Sequence, residues 1–207
     1  MKRMTSAQIT AKFGRPGKGG KLDQKWYRAN IVSQPLPYPM RLAWKTSEVV
    51  KNVPMHRLAA DLLFRALTDL WNEARRRTKV DEKARLRAEI KREIGYDQPT
   101  ALYDREAEKR LSALDSAYWD RATLDLIREN GLDLFGGSFN FRPIRSGSSL
   151  SMHAYGIAFD LNPRGNPLGR PGVMPGWVIA CFERAGFYWG GNFSRRDAQH
   201  FEATALF

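Results

Sequence analysis

Apolar residues set the reading of the chain. Met55, Leu58, Ala59, Leu62, Leu63, Ala66, Leu67, Leu70 and Trp71 recur three and four apart, which predicts a helix with one wide apolar face. Pro54 suits its first turn, where a missing N–H costs nothing. From Glu73 to Ile94 the helix-forming text continues, but the apolar stripe thins to Leu86, Ile90 and Ile94, with Gly95 as the stop. A second charged stretch, from Tyr103 to Asn130, also reads as helix, with Leu111, Leu114, Tyr118, Leu124 and Ile127 as its apolar positions. Together these predict a helical hairpin or arm. After Asn130-Gly131 the period changes. SFNFR, from Ser138, alternates as a strand does, and short strands, glycines and aromatics follow. One more helix, Trp177 to Ala185, is interposed and ends at Gly186.

The amino-terminal part is less regular. Residues 1–24 carry five glycines and prolines between Gly14 and Gly20, which predicts a short helical turn and then a mobile loop. From Trp26 to Trp44 the β-prone pieces are broken by Pro35, Pro37 and Pro39, so an edge strand or irregular wrapping is expected. The fold class that follows is α+β: a small, mainly antiparallel sheet with flanking helices. The domain reading is one domain, 1–207, with a helical insertion at 73–120.

Charge and cysteine content add bounds. Lysine and arginine exceed acidic residues by 34 to 22, a net charge of +12, which favours polyanionic surfaces without choosing among them. The helical run Arg75-Arg76-Arg77 reads either as a solvated face or as a contact for an anionic polymer. The single cysteine, Cys181, lies in the apolar run WVIACF, so an internal disulfide is excluded and a core position is expected. No stretch has the length of a signal peptide or a membrane span, and the expectation is a protein made in the cytoplasm.

Candidate chemistry lies in the last third. Two of the three histidines, His153 and His200, fall there with Asp160 and Asp197. Two imidazoles and a carboxylate are a common ligand set for a catalytic zinc, with a fourth position left for water, and a second carboxylate beside them can serve as base. The spacing from His153 to Asp160 cannot lie on one helical turn. It suggests a loop leading into a strand, with His200 on a neighbouring strand. The same residues could equally be satisfied polar groups: Asp160 capping a turn in DLNP, Asp197 in a surface ion pair beside Arg195 and Arg196. His56, alone in its region, reads as a packing or surface residue.

The flanking residues narrow the choice. SMHAYGIAFDLNP followed by DAQHFE resembles the VanY-like zinc peptidases, the D-alanyl-D-alanine carboxypeptidases and L-alanyl-D-glutamate endopeptidases that include many phage endolysins. Ser151, His153, Gly156, Ala158, Asp160, Asp197 and His200 meet the fixed positions of that pattern. The upstream GGSFNFRPIR resembles the family's arginine-bearing segment. The resemblance runs from about Leu132 to Glu202, is weaker from Trp44 to Leu67, and does not reach residues 73–120. It implies Zn²⁺ held by His153, Asp160 and His200, with Asp197 as general base. Arg142 would stabilise the oxyanion, with Arg145 as the alternative. Ser151 would touch substrate or hold the His153 loop, and Trp189 would shape a cleft wall. It further implies hydrolysis of an amide bond in the peptidoglycan stem peptide by a phage or prophage endolysin, expected as a monomer acting at the wall or periplasm after release. Anionic cell-wall polymer or outer membrane is the expected secondary partner, and no dedicated nucleic-acid partner is expected. Two alternatives stand beside it: a D-alanyl-D-alanine carboxypeptidase, or a non-catalytic wall- or nucleic-acid-binding protein on the same fold.

Overall fold

The computed structural model describes residues 2–144 and 149–206 and divides into two compact units, Met1–Leu70 with Gly131–Phe207, and Trp71–Asn130. In the first unit the chain opens with strand β1 (Lys2–Arg3) and helix α1 (Ser6–Phe13). A capping box starts α1: Thr5 Oγ1 accepts from the Gln8 amide and the Gln8 side chain accepts from the Thr5 amide. The loop expected next is a hairpin. β2 (Gly17–Lys18) and β3 (Lys21–Leu22) pair across Gly19 and Gly20, whose positive φ values, 58° and 75°, suit a tight hairpin turn. Helix α2 (Gln24–Asn30) replaces the extended structure expected from Trp26, because Asp23 accepts from the amides of Lys25 and Trp26 and so begins a helix.

Strands β4 (Ile31–Leu42) and β5 (Lys45–His56) form a long antiparallel pair. β4 accommodates its prolines because, among the described strands, only Arg41 and Leu42 pair on its other side, with Leu134 and Phe135, and because the register shifts between Pro35 and Met40. Pro54 corrects an expectation: it lies in β5, opposite Ser33, and not in a helical turn. β5 is the outer strand of the sheet, where a missing N–H is tolerated. Helix α3 (Arg57–Ile94) begins instead at His56, whose Nδ1 accepts from the Leu58 amide at 3.1 Å. Ala59, Leu63, Ala66, Leu67 and Leu70 are buried as their spacing predicts, whereas Leu58 faces solvent.

The second unit comprises α3 from Trp71 onward, α4 (Thr100–Ser112) and α5 (Ser116–Glu129). Gly95, at φ 93°, ends α3. The charged stretch expected as one helix is two, because Asp115 accepts from the Tyr118 amide at 2.7 Å and caps a new start. Leu86, Ile90, Tyr103 and Ala107 form a small core with Leu111 against it. Tyr103 is kept in that core by satisfying its hydroxyl, which donates to the Gly95 carbonyl and accepts from the Gln98 amide.

The first unit resumes with β6 (Leu134–Gly137), a 3₁₀ turn (Met152–Tyr155), β7 (Ala158–Leu161), α6 (Gly176–Arg184), β8 (Tyr188–Trp189), β9 (His200–Glu202) and β10 (Ala205–Leu206). SFNFR is not a strand: β6 stops at Gly137 (φ 140°), and Ser138 turns inward, its Oγ donating to the Pro54 carbonyl. The main sheet has the order β5-β4-β6-β7-β9-β8 and is antiparallel except for β4–β6, so the fold is α+β with the expected mainly antiparallel sheet. The two-residue period of its central strands separates core from site. Phe159 and Phe201 face α6, where Phe182 stacks on Phe201 at 4.0 Å between ring centroids. Burying each such ring is worth about 1.5–3 kcal/mol. Asp160, His200 and Glu202 alternate with those phenylalanines and share the opposite face.

A candidate metal centre

Asp160 on β7 and His200 on β9 are directly opposed in register, which puts their side chains within reach across the strand pair. His153 comes from the 3₁₀ turn. Its start is capped by Ser151, whose Oγ accepts from the His153 amide at 3.4 Å, and its end is Gly156, left-handed at φ 68°. A Cβ on Gly156 would lie 2.6 Å from Ile31 and 3.0 Å from the His56 amide nitrogen, so only glycine lets this turn sit against the sheet.

The ring nitrogens are sorted by their partners. His153 Nδ1 donates to the Ser138 carbonyl at 2.6 Å, leaving Nε2 3.2 Å from Asp160 Oδ2. His200 turns its Nδ1 to Asp160 Oδ1 at 3.0 Å and its Nε2 to Glu202 Oε2 at 3.2 Å. One ligand atom from each of His153, Asp160 and His200 falls within 4.8 Å of the others. These residues fit a metal ion. Each imidazole has one nitrogen occupied by an outer acceptor and the other directed at a shared carboxylate, the arrangement that presents a lone pair to a cation. Three protein ligands also leave an open position.

Electrostatics agree with the geometry. Burial opposes charge on Asp160, but His153 and His200 hold its carboxyl well below the usual range. Burial likewise disfavours the His200 imidazolium, yet hydrogen bonds to Asp160 and Glu202 push it up to about 10. Both shifts have one cause: the imidazoles and carboxylates of the cluster stabilise each other's charged forms.

Asp197 is half-buried on the turn before β9. Its carbonyl accepts from the His200 amide at 3.0 Å and its amide donates to the Gly190 carbonyl at 2.9 Å. A Cβ on Gly190 would meet the Asp197 carbonyl oxygen at 2.6 Å, so this close approach requires glycine. Burial raises the Asp197 carboxyl, the charge on Asp160 adds to that, and His200 opposes it. Trp189 braces the same turn, donating from Nε1 to the Ala198 carbonyl at 2.9 Å.

A cavity of about 350 Å³ opens beside the cluster. Its wall includes His153, Asp160, Arg142, Gly136, Gly137 and Trp44. Arg142 therefore shares the cavity with two of the proposed ligands. Ser151 is buried in its capping role, and neither it nor Trp189 is on that wall. Arg145 lies outside the described residues. His56 stands apart as a packing residue, buried, with its second nitrogen 3.2 Å from the Phe13 carbonyl. Residues that the sequence reading did not single out also belong to the site. Glu202 was detectable, two places after His200 on a strand and hence on the same face. Trp44, 66% exposed, sits on a turn pinned by the Ala43 amide to the Phe135 carbonyl and by Arg164 to the Ala43 carbonyl. Arg3 and the Ser138 carbonyl carry no sequence signal.

Residues 145–203 match the model of the D-alanyl-D-alanine carboxypeptidase family. The matched stretch contains His153, Asp160, Asp197 and His200. At the family level the match supports a peptidase. It spans a minority of the 207 residues, and no curated protein or solved structure matches the chain. Among the described residues no helix is long and apolar enough to cross a membrane.

Proposed function

We propose that the chain is a zinc peptidase that hydrolyses an amide bond in the peptidoglycan stem peptide, as an L-alanyl-D-glutamate endopeptidase of phage or prophage endolysin type. The observation that carries the reading is the convergence of His153, Asp160 and His200 beside a cavity that also holds Arg142. The three residues would hold Zn²⁺. That ion would supply Lewis acidity and lower the pKa of water in its open position toward about 7. The Asp197 carboxylate takes the proton of the attacking water and returns it to the leaving amine. Its raised pKa brings it closer to neutrality, where a base that must also act as acid is most effective. Arg142 faces the scissile carbonyl and stabilises negative charge on its oxygen. Gly136 and Gly137 let a substrate backbone approach the wall, and Trp44 offers a flat apolar surface to the residues beside the cut. The excess of basic side chains would favour adhesion to anionic wall polymer or outer membrane.

The second reading, a D-alanyl-D-alanine carboxypeptidase, is favoured by the description of the matching family. Mass spectrometry of soluble products from purified peptidoglycan, with and without a chelator, separates the two. Chelator-sensitive peptides cut after L-alanine are expected. Free D-alanine would establish the carboxypeptidase, and no product from several wall types by the zinc-loaded protein would overturn both.

A further inference from the structure

His200 is gripped on both sides, and the outer grip reaches the start of the chain. Glu202, 1% exposed, faces the His200 nitrogen that points away from Asp160. It is thus a partner of a ligand and not a further ligand. A carboxylate so deeply buried needs partners for both of its oxygens. Thr204 Oγ1 donates to Glu202 Oε1 at 2.7 Å. The guanidinium of Arg3 forks onto both carboxylate oxygens, with Nη2 3.1 Å from Oε2. Arg3 is delivered by the β1–β10 pairing, in which it lies opposite Ala205, and by the Met4 amide donating to the Thr204 carbonyl at 2.7 Å. Its guanidinium also lies over the ring of Phe193, 5.0 Å from the centroid, and that ring is 5.9 Å from His200.

We infer that Glu202 and Arg3 are positioning residues for the metal centre: Glu202, on the Nε2 side of His200, holds the ring with Nδ1 beside Asp160, and Arg3, forked onto Glu202, holds that carboxylate in place. The inference rests on the metal site of the proposed function but not on the bond that is cut. Contacts of this kind typically change metal affinity by about 10–100-fold.

The test is zinc affinity of the full chain, measured by competition with a chromogenic chelator. Glu202→Gln keeps the shape, removes the charge and is expected to raise the zinc Kd by about 10–100-fold. Arg3→Met, on a partly exposed side chain, is expected to raise it by about tenfold, the low end of that range. In the zinc-loaded protein, NMR should show a protected His200 Nε2–H that Glu202→Gln shifts or exposes to exchange. A merely structural role would lower the melting temperature of the zinc-free protein and leave the Kd and that resonance unchanged; this outcome overturns the inference. If Glu202→Gln does not fold, Arg3→Met decides, and wild-type affinity in it overturns the relay. A wild-type chain that takes up no zinc would instead remove the metal site itself, which is a different failure.

Discussion

The two units use charge in opposite ways. In the first unit three carboxylates are withdrawn from solvent and each has an assigned partner: half-buried Asp160 between two imidazoles, buried Glu202 on His200 and Arg3, and buried Asp133 on the guanidinium of Arg41. In the second unit the ion pairs between helices, such as Lys83–Glu108 at 2.5 Å and Arg87–Asp104 at 3.2 Å, are solvent-exposed and surround a small apolar core. A buried charge without its partner costs several kcal/mol, whereas an exposed pair is worth about 0–1 kcal/mol. Charge count, and the +12 balance with it, therefore does not locate function; burial does.

The sharpest test of that contrast is at the cluster. His153→Ala should reduce bound zinc to background, read by elemental analysis after dialysis, because two remaining ligands cannot hold the ion against water. Full zinc retention would mean that the cluster is only a polar core. Asp197→Ala should keep the zinc and lower kcat by about 10²–10⁴-fold, the usual contribution of a positioned base. Normal turnover in that variant would remove Asp197 from the mechanism.

How much of this was legible depends on whether the signal was local. The alternation in YGIAFDL predicts a strand carrying Asp160, and QHFEA reads as a neighbouring strand carrying His200; that the two share one face comes from the β7–β9 register. The apolar spacing from Ala59 to Leu70 likewise predicts a buried helical face. Boundaries set by a single side chain were misread. Pro54 has the chemistry of a helix start, but the outer position of β5 tolerates it, and His56 provides the cap. Asp23 and Asp115 each start a helix through one hydrogen-bonded carboxylate, a signal easily lost among polar neighbours. The segment 73–120 expected as an insertion lies within the second unit, which extends to Asn130. The contact of Arg3 with Glu202 depends on the two ends of the chain meeting, and no window along the sequence contains both.

Smaller effects should follow burial in the same way. Ile90→Ala, in the apolar core of the second unit, should cost about 2–5 kcal/mol by chemical denaturation, despite the charge around it. In the first unit, His56→Ala should cost about 2–3 kcal/mol at neutral pH, since it leaves the Phe13 carbonyl and the Leu58 amide without their partner. Burial lowers the His56 pKa, so the folded protein resists the proton that the unfolded chain accepts near its ordinary value of about 6.5. Wild-type stability from this residue is therefore complete above about 6.5 and falls as the pH drops from there toward the folded pKa. The stability difference between wild type and His56→Ala should shrink over that window. A difference independent of pH would show that His56 contributes by shape alone.

The smallest expected effect is the most direct challenge to the contrast. Arg87→Ala removes an exposed pair with Asp104 on the second unit. It should cost less than about 1 kcal/mol and shift the melting temperature by no more than about 2–4 °C. What remains of that effect should vanish in molar salt, where the screening length falls to about 3 Å. A larger loss that survives salt would mean that Arg87 is held in a network as exacting as the one around His200. The second unit would then depend on its charges as the first does, and burial would no longer separate the two.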